Sequence, residues 1–408
     1  MEFCVRKTIF ALALAISFSI LLDGVAAAQF AHTSGTSVVD AKGNKLRLRG
    51  INLGNWLVQE GYMFRLQQGP QSPREIEALV NNLLGPAEAE KFWHTYRDRY
   101  VTKRDIDSIR RAGFNSIRIP LHYKFFMPGN DDGFELLDRV IGWSRQAGLY
   151  VILDLHCAPG GQTGSNIDDS WGYPFLFESE PSQQQTMEVW QRIAMHYRDE
   201  PTVLGYDLLN EPIPHYPQLA RLNGRLEPLY KRITAAVREV DPNHIIILGG
   251  AQWDSNFKVF GPPFDKNAMY TFHKYWTPPT QEVIQQYIDY RDKYKVPIYL
   301  GESGENTNEW ITQFTTVLEK NEIGWAFWPY KKMEVTSSVT TFAKPIYWDE
   351  IVAYAKLRFT SGESEKSIAA RPPQEHITKA FQNLLQKIEL DNCRSNPGYT
   401  RALGLRTR

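Results

Sequence analysis

From residue 49 onward, apolar positions follow two alternating rhythms. Short apolar runs such as Tyr150-Val151-Ile152-Leu153 and Ile245-Ile246-Ile247-Leu248 predict strands covered on both faces, as in a parallel sheet. Strands are expected at residues 49–53, 115–120, 150–156, 204–210, 244–249, 269–273, 298–302 and 324–328. Between them, residues 103–112, 135–147, 186–198, 226–240, 282–294 and 309–319 carry apolar side chains three and four apart, the spacing of one helix face. Gly113, Gly148 and Pro242 stand where helices should stop. Eight strands alternating with helices predict an α/β chain folded as a (β/α)8 TIM barrel, with a doubly wound open sheet as the competing arrangement. The open sheet ordinarily has a glycine-rich phosphate loop after its first strand. Gly50-Ile51-Asn52-Leu53-Gly54-Asn55-Trp56 is not such a loop.

The flanks read differently. Val38-Val39-Asp40 and Lys45-Leu46-Arg47-Leu48-Arg49 surround a Gly43-Asn44 turn, which predicts an N-terminal β-hairpin that either plugs the barrel floor or lies at its edge. A long connection runs from residue 331 to about 373 after the eighth strand, with a short helix near 348–356. Long loops at such a rim often wall a cleft. Ile377, Phe381, Leu384, Leu385 and Ile388 form one helical stripe, read as the last helix docking on the outside. Residues from Asp391 onward read as a loose, slightly basic tail. With no internal repeat or low-complexity linker, a single catalytic domain over 29–390 is the simplest division, with 391–408 as the tail.

The first 28 residues are set apart. Arg6 and Lys7 precede an apolar run over 9–22, and Ala26-Ala27-Ala28 supplies small residues for cleavage. This is the pattern of an export signal, and the run is shorter than the ~20 residues of a spanning helix. A secreted or periplasmic protein is expected, without a membrane span after cleavage. The competing reading is an uncleaved anchor.

Composition is that of an ordinary globular chain, 42% hydrophobic and 23% charged. The formal net charge is zero, and losing Glu2, Arg6, Lys7 and Asp23 with the leader leaves it so. Nothing in that balance draws the chain to nucleic acid or an anionic membrane. A neutral polysaccharide partner fits better, and a monomer is the expectation. Beyond the leader only Cys157 and Cys393 remain, which is neither a disulfide framework nor a metal cluster.

Two glutamates carry the candidate chemistry. Leu208-Leu209-Asn210-Glu211-Pro212 and Leu300-Gly301-Glu302-Ser303-Gly304 each place one at a strand end. In a barrel both would project at the C-terminal rim, where catalytic groups sit. A pair of carboxylates there suits retaining glycoside hydrolysis: one transfers a proton, the other attacks the anomeric carbon. A lone strand-end glutamate is usually a surface or capping group; the neighbours argue otherwise. Asn210 offers an amide to a sugar hydroxyl. Arg118, in Ser116-Ile117-Arg118-Ile119-Pro120, would hold Glu302 ionised, although a structural ion pair is its ordinary role. His156 and His273 close two further strands. Zinc competes as an explanation for them, but there is no His-x-His, no His-Glu-x-x-His and no third clustered ligand. No cofactor is required. Trp56, Trp171, Tyr275, Trp276, Trp325 and Trp328 crowd the rim in sequence; Trp328 is the best candidate for a sugar-stacking floor and Trp325 for packing.

Taken in order, Ser116-Ile117-Arg118-Ile119-Pro120, Asp154-Leu155-His156, Asn210-Glu211-Pro212, His273-Lys274-Tyr275, Gly301-Glu302 and the Trp328 strand resemble glycoside hydrolase family 5, the cellulase-like retaining barrels. The resemblance covers essentially the whole chain after the leader. It implies Glu211 as acid/base and Glu302 as nucleophile. Arg118, His156, Asn210, His273 and Tyr275 become the supporting residues, and Trp328 the stacking platform. Arg49-Gly50-Ile51-Asn52-Leu53-Gly54-Asn55-Trp56-Leu57-Val58-Gln59-Glu60 is similar to the start of the exo-β-1,3-glucanases, which implies that Glu60 touches the terminal sugar. Ala158-Pro159-Gly160-Gly161-Gln162 is similar to the same group. Cys157 stands where the family has glycine, and the 166–170 loop is distinctive. β-1,3-Glucan is therefore the first expectation, with β-1,4-glucan, β-1,6-glucan, mannan or a glucosyl conjugate behind it. An endo-β-1,4-glucanase or mannanase, a barrel that binds carbohydrate without hydrolysing it, and a metal-dependent hydrolase are the rival readings.

Overall fold

The computed structural model describes residues 30–405, so the expected leader lies outside the described residues. Eight parallel strands close into a barrel: β1 (Arg49–Asn52), β2 (Ser116–His122), β3 (Tyr150–Cys157), β4 (Val203–Asp207), β5 (Ile245–Gly249), β6 (Ala268–His273), β7 (Ile298–Glu302) and β8 (Gly324–Phe327). β8 returns to β1 through Trp325 opposite Arg49 and Phe327 opposite Ile51, which rules out the open sheet. Six helices fall where apolar spacing placed them, with ends shifted by a few residues.

The inward side chains Ile152, Leu204, Ile245, Ile247, Met269, Tyr299 and Ala326 fill the barrel, and Ala31, Val38 and Leu48 close over them from below. The N-terminal hairpin is thus a plug. Its regular pairing lies one segment earlier than expected: His32–Ser34 pairs antiparallel with Ser37–Val39. The Gly43-Asn44 turn keeps one bridge, Val39 to Lys45, closed by Leu46 N–H donating to Val38 O at 2.9 Å.

Two long helices, Pro73–Leu84 and Pro86–Tyr100, have no counterpart in the apolar spacing, nor do the short ones at Ala251–Asp254, Glu365–Ala369 and Pro397–Ala402. Ser72 and Glu75 form a capping box at the start of the first, satisfying backbone donors that would otherwise be orphaned. Gly85, at φ +80°, and Pro86 separate the pair. The helix Gln374–Lys387 docks on both, burying Ile377, Ala380, Phe381, Leu384 and then Ile388; Leu385 is only half-covered.

Residues 392–405 do not form a loose tail. Cys393–Ser395 adds an antiparallel strand to Thr340–Phe342, which pairs in parallel with Lys331–Met333. The helix Pro397–Ala402 buries Tyr399, whose hydroxyl donates to Trp328 O at 3.2 Å. Few apolar residues announce this segment; it is held by strand addition and one buried ring. Among the described residues Cys157 and Cys393 are free, and no helix is long and apolar enough to cross a membrane.

Candidate active site

The strand ends of β2, β3, β4, β6 and β7 converge on one mouth of the barrel. At its centre Arg118 is fully buried. Its Nη1 donates to Glu302 Oε1 at 2.7 Å and to Asn52 Oδ1 at 3.1 Å, its Nε to Asp207 Oδ2 at 2.9 Å, and its Nη2 to Asn210 Oδ1 at 3.0 Å. Asp154 Oδ1 lies 3.1 Å from Nη2. Burial works against the charge, but Asp154, Asp207 and Glu302 hold the guanidinium protonated. The same burial pushes Asp154 and Asp207 each up to about 7, with Arg118 opposing.

Glu302 ends β7. Besides Arg118 it accepts the Tyr275 hydroxyl on Oε2 at 3.0 Å. Gly301 beside it is a steric requirement: a Cβ there would lie 2.5 Å from Thr271 Oγ1 and 2.8 Å from His273 Nε2.

Glu211 follows β4 in a left-handed backbone conformation, φ +46°, which costs a non-glycine residue about 1–3 kcal/mol unless its surroundings fix it. They do. Its N–H donates to Asp254 Oδ2 at 3.0 Å and its carbonyl accepts the Thr163 hydroxyl at 2.8 Å. Burial raises its carboxyl above the ordinary range. Glu211 Oε1 lies 3.0 Å from His273 Nδ1, and His273 Nε2 is 3.4 Å from Asp254 Oδ2. One carboxylate oxygen of Glu211 and one of Glu302 lie within 4.8 Å of each other.

Burial pushes His156 down to about 4 and His273 down to about 3, so both are neutral at pH 7. His156 Nδ1 is 2.7 Å from Asp154 Oδ2. With its proton there, Nε2 is free to accept from Asn210 Nδ2 at 3.4 Å. The His156 ring lies parallel to Trp328, centroids 5.8 Å apart. Trp328 itself passes over Gly54, where any Cβ would enter the indole. Glu60 is buried and within electrostatic reach of Glu302 and Glu211, and burial raises its carboxyl. Arg118, His156, Asn210, Glu211, His273, Tyr275 and Glu302 therefore meet at one mouth of the barrel, with Trp328 and Glu60 beside them.

The aromatics divide. Trp56 is core, its indole donating to Arg97 O at 2.8 Å. Trp325 packs outward and donates to Glu319 Oε1 at 3.1 Å. Trp171 and Trp276 stand 79% and 75% exposed, on the loops after β3 and β6.

Several groups escaped the sequence reading: Asn52, Asp207, Asp254 and the pair Lys332–Glu305. Asp254 had a faint signal in Gly249-Gly250 at the end of β5. A Cβ on Gly249 would lie 1.9 Å from Asp254 Oδ1, so that glycine exists to admit the carboxylate.

Two groups of side chains come within cation-binding distance, Asp154–His156–Glu302 and Glu211–His273–Glu302. Neither suits a metal. Glu302 and Asp154 already face the fixed charge of Arg118 at 2.7 and 3.1 Å, which would repel a second cation in a low-dielectric site. Both histidines are also committed through Nδ1 to carboxylates.

A closed barrel bearing two neighbouring carboxyls, one against a buried arginine and one against a neutral histidine, is the arrangement of glycoside-cleaving barrels. The family model for cellulase (glycosyl hydrolase family 5) matches residues 80–334, and the chain belongs to that family. It is 33% identical over 255 residues to a β-xylosidase of Phanerodontia chrysosporium, covering 60% of this chain and 52% of that protein. It is 24% identical over 353 residues to endoglucanase C of Acetivibrio thermocellus, covering 70% and 91%. It is 30% identical over 207 residues to an Aspergillus niger protein named "Probable glucan 1,3-beta-glucosidase A", covering 49% of each. The chain thus spans about half the length of the first and third of these relatives.

Proposed function

We propose that this protein is a retaining β-glycoside hydrolase acting on β-glucan or an oligosaccharide derived from it, with β-1,3-glucan as the first substrate to try. The observation that carries the reading is the approach of the Glu211 and Glu302 oxygens to within 4.8 Å. Retaining enzymes hold their carboxyls about 5–5.5 Å apart, whereas inverting enzymes leave roughly 6.5–9.5 Å for a water.

Glu302, paired with Arg118 at 2.7 Å, attacks the anomeric carbon. The bond from that carbon to the leaving oxygen breaks as Glu211 delivers its proton there. His273, neutral, donates through Nδ1 to Glu211 Oε1, which leaves Oε2 to carry the proton toward the leaving group. In the second step Glu211 deprotonates a water, and the water displaces Glu302. Trp328 offers its face to the sugar ring. The residues meet no need for a cofactor, and the leader-type N-terminus supports export.

The resemblance of residues 49–60 to the exo-β-1,3-glucanases and the A. niger relative favour β-1,3 linkages. Endoglucanase C, matched over most of its own length, favours the second reading, an endo-acting β-1,4-glucanase. Activity on laminarin, lichenan, cellulose, mannan and aryl β-glycosides, with product sizing, separates the two. Proton NMR of the first-formed anomer tests retention; an inverted product would overturn the mechanism.

A further inference from the structure

Lys332 belongs to none of the steps above, yet it sits among the cleft's carboxylates. Its ammonium is nearly buried and donates to Glu305 Oε2 at 2.5 Å. It also lies 4.3 Å over the Tyr62 ring. Tyr62 Oη accepts the Trp328 indole N–H at 2.7 Å, and the Glu305 carbonyl accepts Trp276 Nε1 at 3.3 Å. Glu305 is held at φ +51°, a conformation that persists only where neighbours fix it. One cation therefore ties the stacking floor to the exposed rim.

Glu60 supplies the second half of the argument. It is 6% exposed, and its hydrogen bonds among the described residues are made by its backbone: the N–H donates to Asn55 Oδ1 at 3.0 Å and the carbonyl accepts the Met63 N–H at 3.0 Å. Among the described residues no donor bonds its carboxyl. Glu302, Glu211 and Glu305 all repel its charge, and Lys332 opposes them. A buried carboxyl without donors is costly, and paired sugar hydroxyls are the donors such a cleft would receive.

We propose that Lys332, anchored by Glu305, is a positioning residue for the sugar on the glycone side. It offsets the negative charge around Glu60, so that the Glu60 carboxylate accepts two neighbouring free hydroxyls of the ring, and it fixes Tyr62 beneath the Trp328 platform. The inference rests on the glycosidase reading and adds to it a substrate feature: a glycone ring with unsubstituted neighbouring hydroxyls.

The test uses the full chain and an aryl β-glucoside, comparing the wild type with Lys332→Met, Lys332→Arg, Glu60→Gln and the Glu60→Gln/Lys332→Met double variant. Lys332→Met should raise KM tenfold or more with kcat changed less than about threefold, the signature of lost uniform binding. Lys332→Arg should recover most of the loss. The double variant should bind no worse than Glu60→Gln alone, because Lys332 acts through Glu60. Unchanged KM in Lys332→Met, or additive losses in the double variant, would overturn the proposal. If Lys332→Met does not fold, Glu305→Gln is read instead: it should raise KM in the same direction, and no rise would overturn the proposal. Activity persisting in Glu302→Ala is a separate result, which removes the glycosidase reading itself.

Discussion

Arg118 and Glu302 meet at 2.7 Å across the barrel mouth, one from β2 and the other from β7. Glu211, with its nearest oxygen within 4.8 Å of Glu302, has no such bond to the guanidinium. It faces the neutral His273 instead. Two glutamates in one cleft thereby receive opposite surroundings, the condition for one to attack as an anion while the other donates a proton.

That asymmetry fixes how each should fail. Glu302→Ala should abolish turnover of every substrate while the protein keeps its melting temperature within a few degrees. Glu211→Gln should slow natural glycosides by about 10²–10⁴-fold, the range for losing a general acid. It should spare the first step on aryl glycosides whose leaving group needs no proton. Burst kinetics with a dinitrophenyl glycoside check this: a burst followed by slow turnover is expected, and steady wild-type turnover would refute the assignment of Glu211.

The pH profile follows from the same burial. In the proposed mechanism Glu211 must be protonated to act, and its carboxyl is raised by burial. Activity should therefore persist above the ordinary carboxyl range and fall as pH rises through the elevated value. kcat/KM against pH should show this alkaline limb in the wild type. In Glu211→Gln, assayed on an activated aryl glycoside, the limb should vanish.

Arg118 is expected to matter for folding as well as chemistry. Replacing it by Met would strand Asp154, Asp207 and Glu302 around an uncharged cavity, and removing one partner of a buried pair costs about 3–5 kcal/mol. Urea denaturation of Arg118→Met should show a loss of that order together with loss of activity. A variant as stable as the wild type would mean that the carboxyls relax by taking up protons.

Much of this was legible in the sequence for one reason: the barrel's strands are continuous apolar runs, and the proposed catalytic groups follow them directly. Glu302, His273 and Arg118 are each read off a strand. Asp254 was not, because it reaches the site through three successive left-handed residues, Gln252, Trp253 and Asp254, which no periodicity encodes. Asp207 looked like an ordinary strand residue until Arg118 was seen across the barrel. The segment after Asp391 was misread because its order comes from pairing with Thr340–Phe342, a partner distant in sequence. The hairpin's true pairing was missed because His32–Ser34 has too few apolar residues to declare itself.

Gly249 offers a test of positioning that leaves every reacting group in place. An alanine Cβ would fall 1.9 Å from Asp254 Oδ1, so Asp254 must move and release the Glu211 N–H. The carboxyl of Glu211 would then lose the backbone geometry that aims it. A displacement of about 1 Å can cost roughly 10²-fold in rate. Gly249→Ala should lower kcat on natural substrates by about that factor with a smaller effect on KM. Unchanged kcat would show that Asp254 plays no part in holding Glu211.

Trp171 and Trp276 are the remaining anomaly, large rings left in solvent on loops at the catalytic face. Arg74 covers one face of Trp171 at 3.7 Å, and Trp276 is fixed by its bond to the Glu305 carbonyl. Each ring is thus oriented while most of its surface stays open. Rings held this way suit further sugar units of a longer substrate. Substituting either by alanine should leave stability within about 0.5 kcal/mol, as for surface positions generally. An aromatic contact contributes about 0.5–1.5 kcal/mol beyond area burial, so KM for oligosaccharides should rise by roughly two- to tenfold. An aryl monoglycoside, too short to reach both rings, should show little change. Equal effects on short and long substrates would instead assign the two tryptophans to the structure of their loops.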